Sequence, residues 1–258
     1  MGGTVYAVAG GKGGVGKTTT AINLGVVLKQ AGQDVVVVDA DLAMANVGQQ
    51  LGIDHEPGIH EVLAGDATVR DAVVTGPAGL RVITGDRALD SFAAAEPTEL
   101  DGVLDLLAVA YDVVLVDTAA GVQRNSIVTY READGVVLVT TADDVAIADA
   151  NRTATMAADA DCPTVGAAVT KDESGTAPDA VAGLDADVLA VVPAHRTGGP
   201  VTASEPNSDA AGAYRTLAAS LPAVDAQGVI PEDSTPETEE SDDRGTEDGV
   251  EREETASP

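Results

Sequence analysis

The 258 residues carry 43 acidic against 14 basic side chains, a formal net charge of −29. So negative a chain disfavours non-specific binding to nucleic acid or anionic lipid, because both are polyanions. It has no run of 18 apolar residues, which argues against a transmembrane helix, and no basic n-region before its first strand, which argues against a signal peptide.

The hydrophobic fraction is 44% and the aromatic fraction 2%, so the core, one sizeable or two small, must be built from small and β-branched side chains. Cys162 is the single cysteine. It allows neither an intrachain disulfide nor a cysteine-based cluster within one chain, and reads as a buried thiol. The four lysines are Lys12, Lys17, Lys29 and Lys171. An acid-rich, lysine-poor balance suits a high-salt cytoplasm, where screening tolerates self-repulsion; an ordinary acidic cytosolic protein is the alternative.

In chain order, residues 4–9 read as a buried strand, followed by a glycine-rich loop and a helix over Thr18 to Gln30 closed by Gly32. Residues 35–39 form a second apolar run, of the kind found in parallel strands covered on both faces. Further strands are predicted at 80–84, 112–117, 135–140, 164–169 and 187–192, with helices near 97–109, 123–131, 143–159 and 207–220. This alternation predicts an α/β fold: a mostly parallel central sheet with helices on both faces. Residues 1–222 are expected to form one domain. Residues 223–258 are expected to be an acidic disordered tail, since 231–258 alone hold 12 acids and two arginines.

Gly11-x-x-x-x-Gly16-Lys17-Thr18 satisfies the phosphate-loop pattern between a strand and a helix. The glycines let successive amides face phosphates, and the helix adds its positive end. Lys17 would place a cation on the β- and γ-phosphates, and Thr18 a hydroxyl on Mg²⁺. The nucleotide segment is therefore Gly11, Lys12, Gly13, Gly14, Val15, Gly16, Lys17, Thr18 and Thr19. Gly11-x-Gly13-x-x-Gly16 also matches the dinucleotide fingerprint, with Asp39 at a distance suited to a ribose. That reading needs neither Lys17-Thr18 nor a carboxylate after a later strand. Asp117, ending Val113-Val114-Leu115-Val116, reads as a Mg²⁺-holding carboxylate or as a turn cap. Asp39 and Asp41 share one side of their strand by alternation. Asp41 could orient a water for attack or cap a turn.

The segment Gly11 to Thr19, with a second lysine at Lys12, resembles the deviant Walker A loop of the MinD/ParA family. The resemblance continues through Val38-Asp39-Ala40-Asp41 with Asn46, Val116-Asp117-Thr118-Ala119-Ala120-Gly121, Thr140-Thr141-Ala142-Asp143, Val191-Val192-Pro193, Gly199-Pro200-Val201 and the helix near Ala211 to Leu221. It covers about 1–221 and is closer to the MinD branch than to plasmid partition proteins. It implies an ATP hydrolase with ATP and Mg²⁺ as ligands and an ATP-dependent homodimer in which Lys12 reaches the partner subunit's phosphates. Lys12, Lys17 and Asp41 would be catalytic, with Asp41 positioning the hydrolytic water. Thr18, Asp39 and Asp117 would serve the metal, with Asp39 and Asn46 in the first switch. Asp117 would open the second switch, and Gly121 would let it move.

The expected role is a cytoplasmic switch that spatially positions a division site or motility or chemosensory machinery through an unidentified protein partner. The alternatives are a chromosome or plasmid partition ATPase and a nucleotide-dependent scaffold with little hydrolysis. Three departures qualify the transfer. Residues 222–258 lack a basic amphipathic stripe, which argues against direct membrane binding. The acidic body argues against DNA binding. Thr170-Lys171-Asp172 stands where relatives place Asn or Arg near adenine; His195 would stack on the base or simply lie exposed. Relatives that carry iron–sulfur clusters need paired cysteines, and His55, His60 and His195 lack ligand-like spacing.

Overall fold

The computed structural model describes residues 2–121, 124–172, 181–195 and 199–222. The expected acidic tail, 223–258, lies outside the described residues. Eight strands form one sheet: β1 Thr4–Ala9, β2 Val35–Asp39, β3 Val73–Thr75, β4 Arg81–Ile83, β5 Val113–Asp117, β6 Gly135–Thr140, β7 Thr164–Asp172 and β8 Val188–Pro193. Their order is β3-β4-β2-β5-β1-β6-β7-β8. The β3–β4 pair is antiparallel and the other neighbours run parallel. Valine dominates β2, β5 and β6, and every residue of these strands is buried. Such continuous apolar runs are stable only where helices cover both faces of a sheet.

Alternation along the strands divides the core in two. Tyr6, Val8, Val35, Val37 and Leu115 face α1 (Lys17–Gln30), sharing a cluster with Leu24 and Leu28. Val5, Ala7, Val36, Val38, Val114 and Val116 point the other way, into a cluster with Leu100, Leu104 and Leu107 of α6 (Leu100–Ala110). Cys162 is buried in this second cluster. Burial, reinforced by the charge of Asp134, pushes its thiol up to about 11, so it is an inert core group.

The strands at 4–9, 35–39 and 135–140 coincide with their expected bounds. Five short helices, α2 Val47–Leu51, α3 Ile59–Leu63, α4 Val69–Ala72, α5 Leu89–Ala94 and the one at Val201–Ser204, and the edge strand β3 are not among the elements the sequence predicts. Each is too short to display a hydrophobic period. Helix α6 starts at Leu100 because Pro97–Glu99 forms a 3₁₀ turn first. Helices α7 (Arg124–Glu132) and α8 (Asp144–Asp159) flank β6, and α9 (Val201–Ser204) and α10 (Asp209–Ala219) follow β8. Among the described residues no helix is long and apolar enough to cross a membrane.

Asn23 joins distant parts of the chain. Its Nδ2 donates to Thr19 O (2.8 Å), and its Oδ1 accepts from Thr202 N (3.0 Å) and the Thr202 hydroxyl (2.9 Å). The bonds to Thr202 span 179 residues in a buried setting. Asn23→Ala leaves Thr202 N without this partner and the Thr202 hydroxyl with only its longer bond to Asn23 O (3.4 Å), and an orphaned buried group costs about 1–3 kcal/mol. Urea denaturation should show a loss of about 2–4 kcal/mol, whereas a loss below about 0.5 kcal/mol would remove Asn23 as the joint.

Candidate functional site

Parallel strands place their carboxyl ends on one edge of the sheet, where ligands bind in open α/β folds. Three of the segments singled out in the sequence meet there. The glycine loop leaves β1, which lies between β5 and β6. Asp39 and Asp117 end β2 and β5 as direct register partners.

Close packing dictates the glycines at the start of the loop. A Cβ on Gly10 would lie 2.4 Å from Val139 O, and one on Gly11 would lie 2.4 Å from Asp149 O. Gly14 and Gly16 adopt φ of +79° and +100°, which side-chain-bearing residues rarely take. Val15 is buried and locks the loop onto the core. From the opposite side the Thr170 hydroxyl reaches Val15 O (2.5 Å), and Lys171 Nζ donates to Gly14 O. Helix α1 starts at Lys17 with no acidic residue in its first turn. Its positive end is therefore uncompensated and favours an anion.

Lys17 is 8% exposed. Burial lowers its pKa, while Asp117 and Asp41 oppose that shift. The Thr18 side chain lies beside the Asp117 carboxylate and favours its charged form. Burial raises Asp117 well above the usual carboxylate range and the charge of Asp39 adds to it, with Thr18 and Lys17 pulling the other way. Asp39 is fully buried and its pKa rises to about 6, chiefly through desolvation. Its Oδ2 accepts from Asn46 N (2.7 Å) and Val47 N (2.9 Å). Among the described residues neither Asp39 Oδ1 nor Asp117 Oδ1 has a hydrogen-bond partner. Two buried, orphaned carboxylate oxygens beside a hydroxyl suit a hard divalent cation with oxygen ligands. The three candidate metal residues are thus grouped, but Asp39 is structural as well, since it holds the loop that follows β2.

Asp41 is half-buried in that loop, and its Oδ1 accepts from Met44 N (3.2 Å), a local turn contact. Its charge acts on Lys17, Asp39 and Asp117. The turn bond is the one the capping role requires, and the charge of Asp41 is felt at Lys17. Lys12 projects outward and pairs with Asp143 of the same chain at 3.2 Å, with both side chains nearly half exposed. Asp143 also caps α8 through Ala146 N. The Thr141 hydroxyl, that amide and Lys12 together hold its carboxyl down at about 2.

Beside the start of α1 lies a cleft of about 520 Å³ lined by Gly16, Thr19, Thr170, Lys171, Val192, Pro193, Ala194, His195 and Tyr214. His195 stands edge-to-face on Tyr214, with ring centroids 6.3 Å apart, and its Nδ1 lies 3.2 Å from Pro193 O. The cleft adjoins the phosphate loop at Gly16 and Thr19. Thr170, Lys171 and His195, expected near the base, line this cleft; Thr170 and Lys171 also brace the loop, and Asp143 meets Lys12. No local spacing signals these contacts, which join residues 131 to 157 positions apart.

A family model described as an AAA domain matches residues 3–157. An ATP-binding protein of Methanocaldococcus jannaschii is 33% identical over 227 residues, covering 83% of this chain and 86% of its own. The antiactivator FleN of Pseudomonas aeruginosa is 36% identical over 149 residues, 57% of this chain and 53% of FleN. The septum site-determining protein MinD from Pyrococcus horikoshii, complexed with Mg-ADP, superposes with a TM-score of 0.78 at 29% identity, covering 84% of this chain and 94% of that one. With the deviant loop, the carboxylate pair at the strand ends and this sheet order, the chain belongs to the MinD/ParA family of P-loop ATPases.

Proposed function

We propose that this protein binds Mg-ATP, dimerises on it and hydrolyses it to switch the binding of a protein partner. In this reading it acts in the spatial positioning of a cellular structure, as the septum site-determining relative suggests. The observation that carries the reading is the convergence of buried Lys17, the Thr18–Asp117 pair and Asp41 at one open phosphate loop. The amides of Gly13 to Thr18 and Lys17 bind the triphosphate, and the cleft toward His195 takes the base. Thr18 and Asp117, with Asp39 behind them, hold the magnesium ion, whose charge offsets that of the β- and γ-phosphates. Asp41 orients the attacking water.

Lys12 supports the dimer. The space over Gly13 and Gly14 is empty, since a Cβ on either meets nothing within 4 Å. The exposed Lys12–Asp143 pair contributes little to stability. Lys12 is therefore available for the denser negative charge of a nucleotide bound to a second subunit. Light scattering with a non-hydrolysable ATP analogue should show a doubled mass for the wild type and a monomer for Lys12→Ala. An unchanged wild-type mass would sink the dimer. Absence of ATP-derived phosphate release, alone and with co-purifying partners, would sink the hydrolase.

A further inference from the structure

His60 is the most buried histidine among the described residues, 1% exposed on α3, and it uses both ring nitrogens. Nε2 lies 2.9 Å from Leu42 O, and Nδ1 lies 3.0 Å from Asp86 N. A carbonyl can only accept and an amide N–H can only donate. One form satisfies both: a neutral imidazole whose proton sits on Nε2, donating to Leu42 O, while Nδ1 accepts from Asp86 N.

The ring thereby joins the loop after β2 to the loop after β4. It is itself held in place. Ile59 N donates to Thr84 O (2.8 Å), which ties the first turn of α3 to the end of β4, and within that turn Gly58 N donates to Glu61 Oε2 (2.7 Å). Gly85 closes over the junction: a Cβ there would lie 2.6 Å from Ala45 Cβ and 3.3 Å from His60 Cε1.

Asp41 stands at the centre of these restraints. On its N-terminal side, Ala40 N donates to Asp117 O (2.9 Å). On its C-terminal side, the carbonyl of Leu42 is the one His60 grips. The flanking side chains of Leu42 and Ala45 are buried, and Asn46 and Val47 are tied back to Asp39. Among the described residues, the Asp41 carboxylate is hydrogen-bonded to the Met44 amide within its own turn. Its aim is therefore set by its backbone, and the backbone is set from both sides.

We propose that His60 is a positioning residue for hydrolysis: through Leu42 O it fixes the peptide unit that follows Leu42, one residue beyond Asp41, and with it the backbone from which Asp41 projects. The proposal rests on the role of Asp41 given above. Gln places a donor near the Nε2 position. Asn keeps an acceptor near the Nδ1 position but cannot reach Leu42. His60→Asn and His60→Ala should lower kcat about 10- to 100-fold, the scale of a misplacement of about 1 Å, while KM and analogue affinity stay within about twofold. His60→Gln should restore kcat to within about threefold of wild type. Adding His60→Asn to Asp41→Ala should cause no further loss, because the two act as one unit. Imidazole ¹⁵N shifts should place the proton of His60 on Nε2.

A wild-type kcat in His60→Asn, failure of Gln to restore it, or multiplicative losses in the double variant would each overturn the proposal. So would a proton on Nδ1. A wild-type kcat in Asp41→Ala would instead remove the role of Asp41, and this proposal with it. Loss in Asp41→Ala beside normal turnover in His60→Asn would remove His60 alone. Should His60→Ala fail to fold, the near-isosteric Asn and Gln variants still decide.

Discussion

Lys17→Met should weaken Mg-ATP binding by about 30- to 150-fold, because it removes a charge-assisted contact worth about 2–3 kcal/mol. The contact is strong because the lysine is already dehydrated. Lys17 is buried in the ligand-free fold, and burial is the largest influence on its pKa, ahead of the attraction of Asp117 and Asp41. Binding phosphate there does not require the ammonium to shed a full water shell at that moment, and the low local dielectric strengthens the pairing. The same fact predicts that binding and stability separate. Desolvation of Lys17 outweighs the attraction of its carboxylates, and Asp117, already raised well above the usual carboxylate range, can take up a proton once the cation is gone, so the apolar substitution leaves no unpaired buried charge behind. The unliganded Tm of Lys17→Met should therefore equal or exceed that of wild type, while calorimetric titration shows the lost affinity. An unchanged Kd would remove Lys17 from the phosphate site, and a Tm drop of more than about 5 °C would make its role structural. Lys17→Arg should not rescue binding, since a planar guanidinium is wider than the ammonium and this position is enclosed.

Asp41→Ala should lower the rate of phosphate release by about 10²- to 10³-fold, the range for a group that positions or deprotonates a reacting water. ATP affinity should hold or rise, because a negative charge beside the triphosphate is gone. Stability should change little, for the side chain makes a turn hydrogen bond to Met44 N, and such a bond is worth about 1 kcal/mol. Asp41→Asn keeps that bond and the side-chain size but loses the charge. A loss in Asn equal to that in Ala assigns the effect to the charge, whereas near-normal turnover in Asn would reduce Asp41 to a turn cap. Single-turnover assays separate these outcomes from product release. Asp39 offers the contrast. Its carboxylate accepts two backbone amides, so its removal should damage the whole loop after β2.

Local order was enough to reveal a nucleotide site in this chain. Gly11 to Thr18 is contiguous, and every feature a phosphate cradle needs lies within eight positions of one strand–helix junction. The central strands were readable for a similar reason: a strand buried on both faces must be apolar throughout, so β1, β2, β5 and β6 announce themselves as unbroken runs. Folding in space was needed to assign roles within the site. Asp39 and Asp41 are two positions apart and equivalent by alternation, yet one is sealed behind two amides and the other is half-buried and bonded within its own turn. That difference depends on where the chain turns after β2, which is set by α3 and β4. Lys12 meeting Asp143, Lys171 bracing Gly14 and His60 gripping Leu42 are likewise contacts between segments far apart in sequence. A residue's type limits the bonds it can make. Which partner it meets depends on how the sheet brings its strand ends together, and no local pattern encodes that.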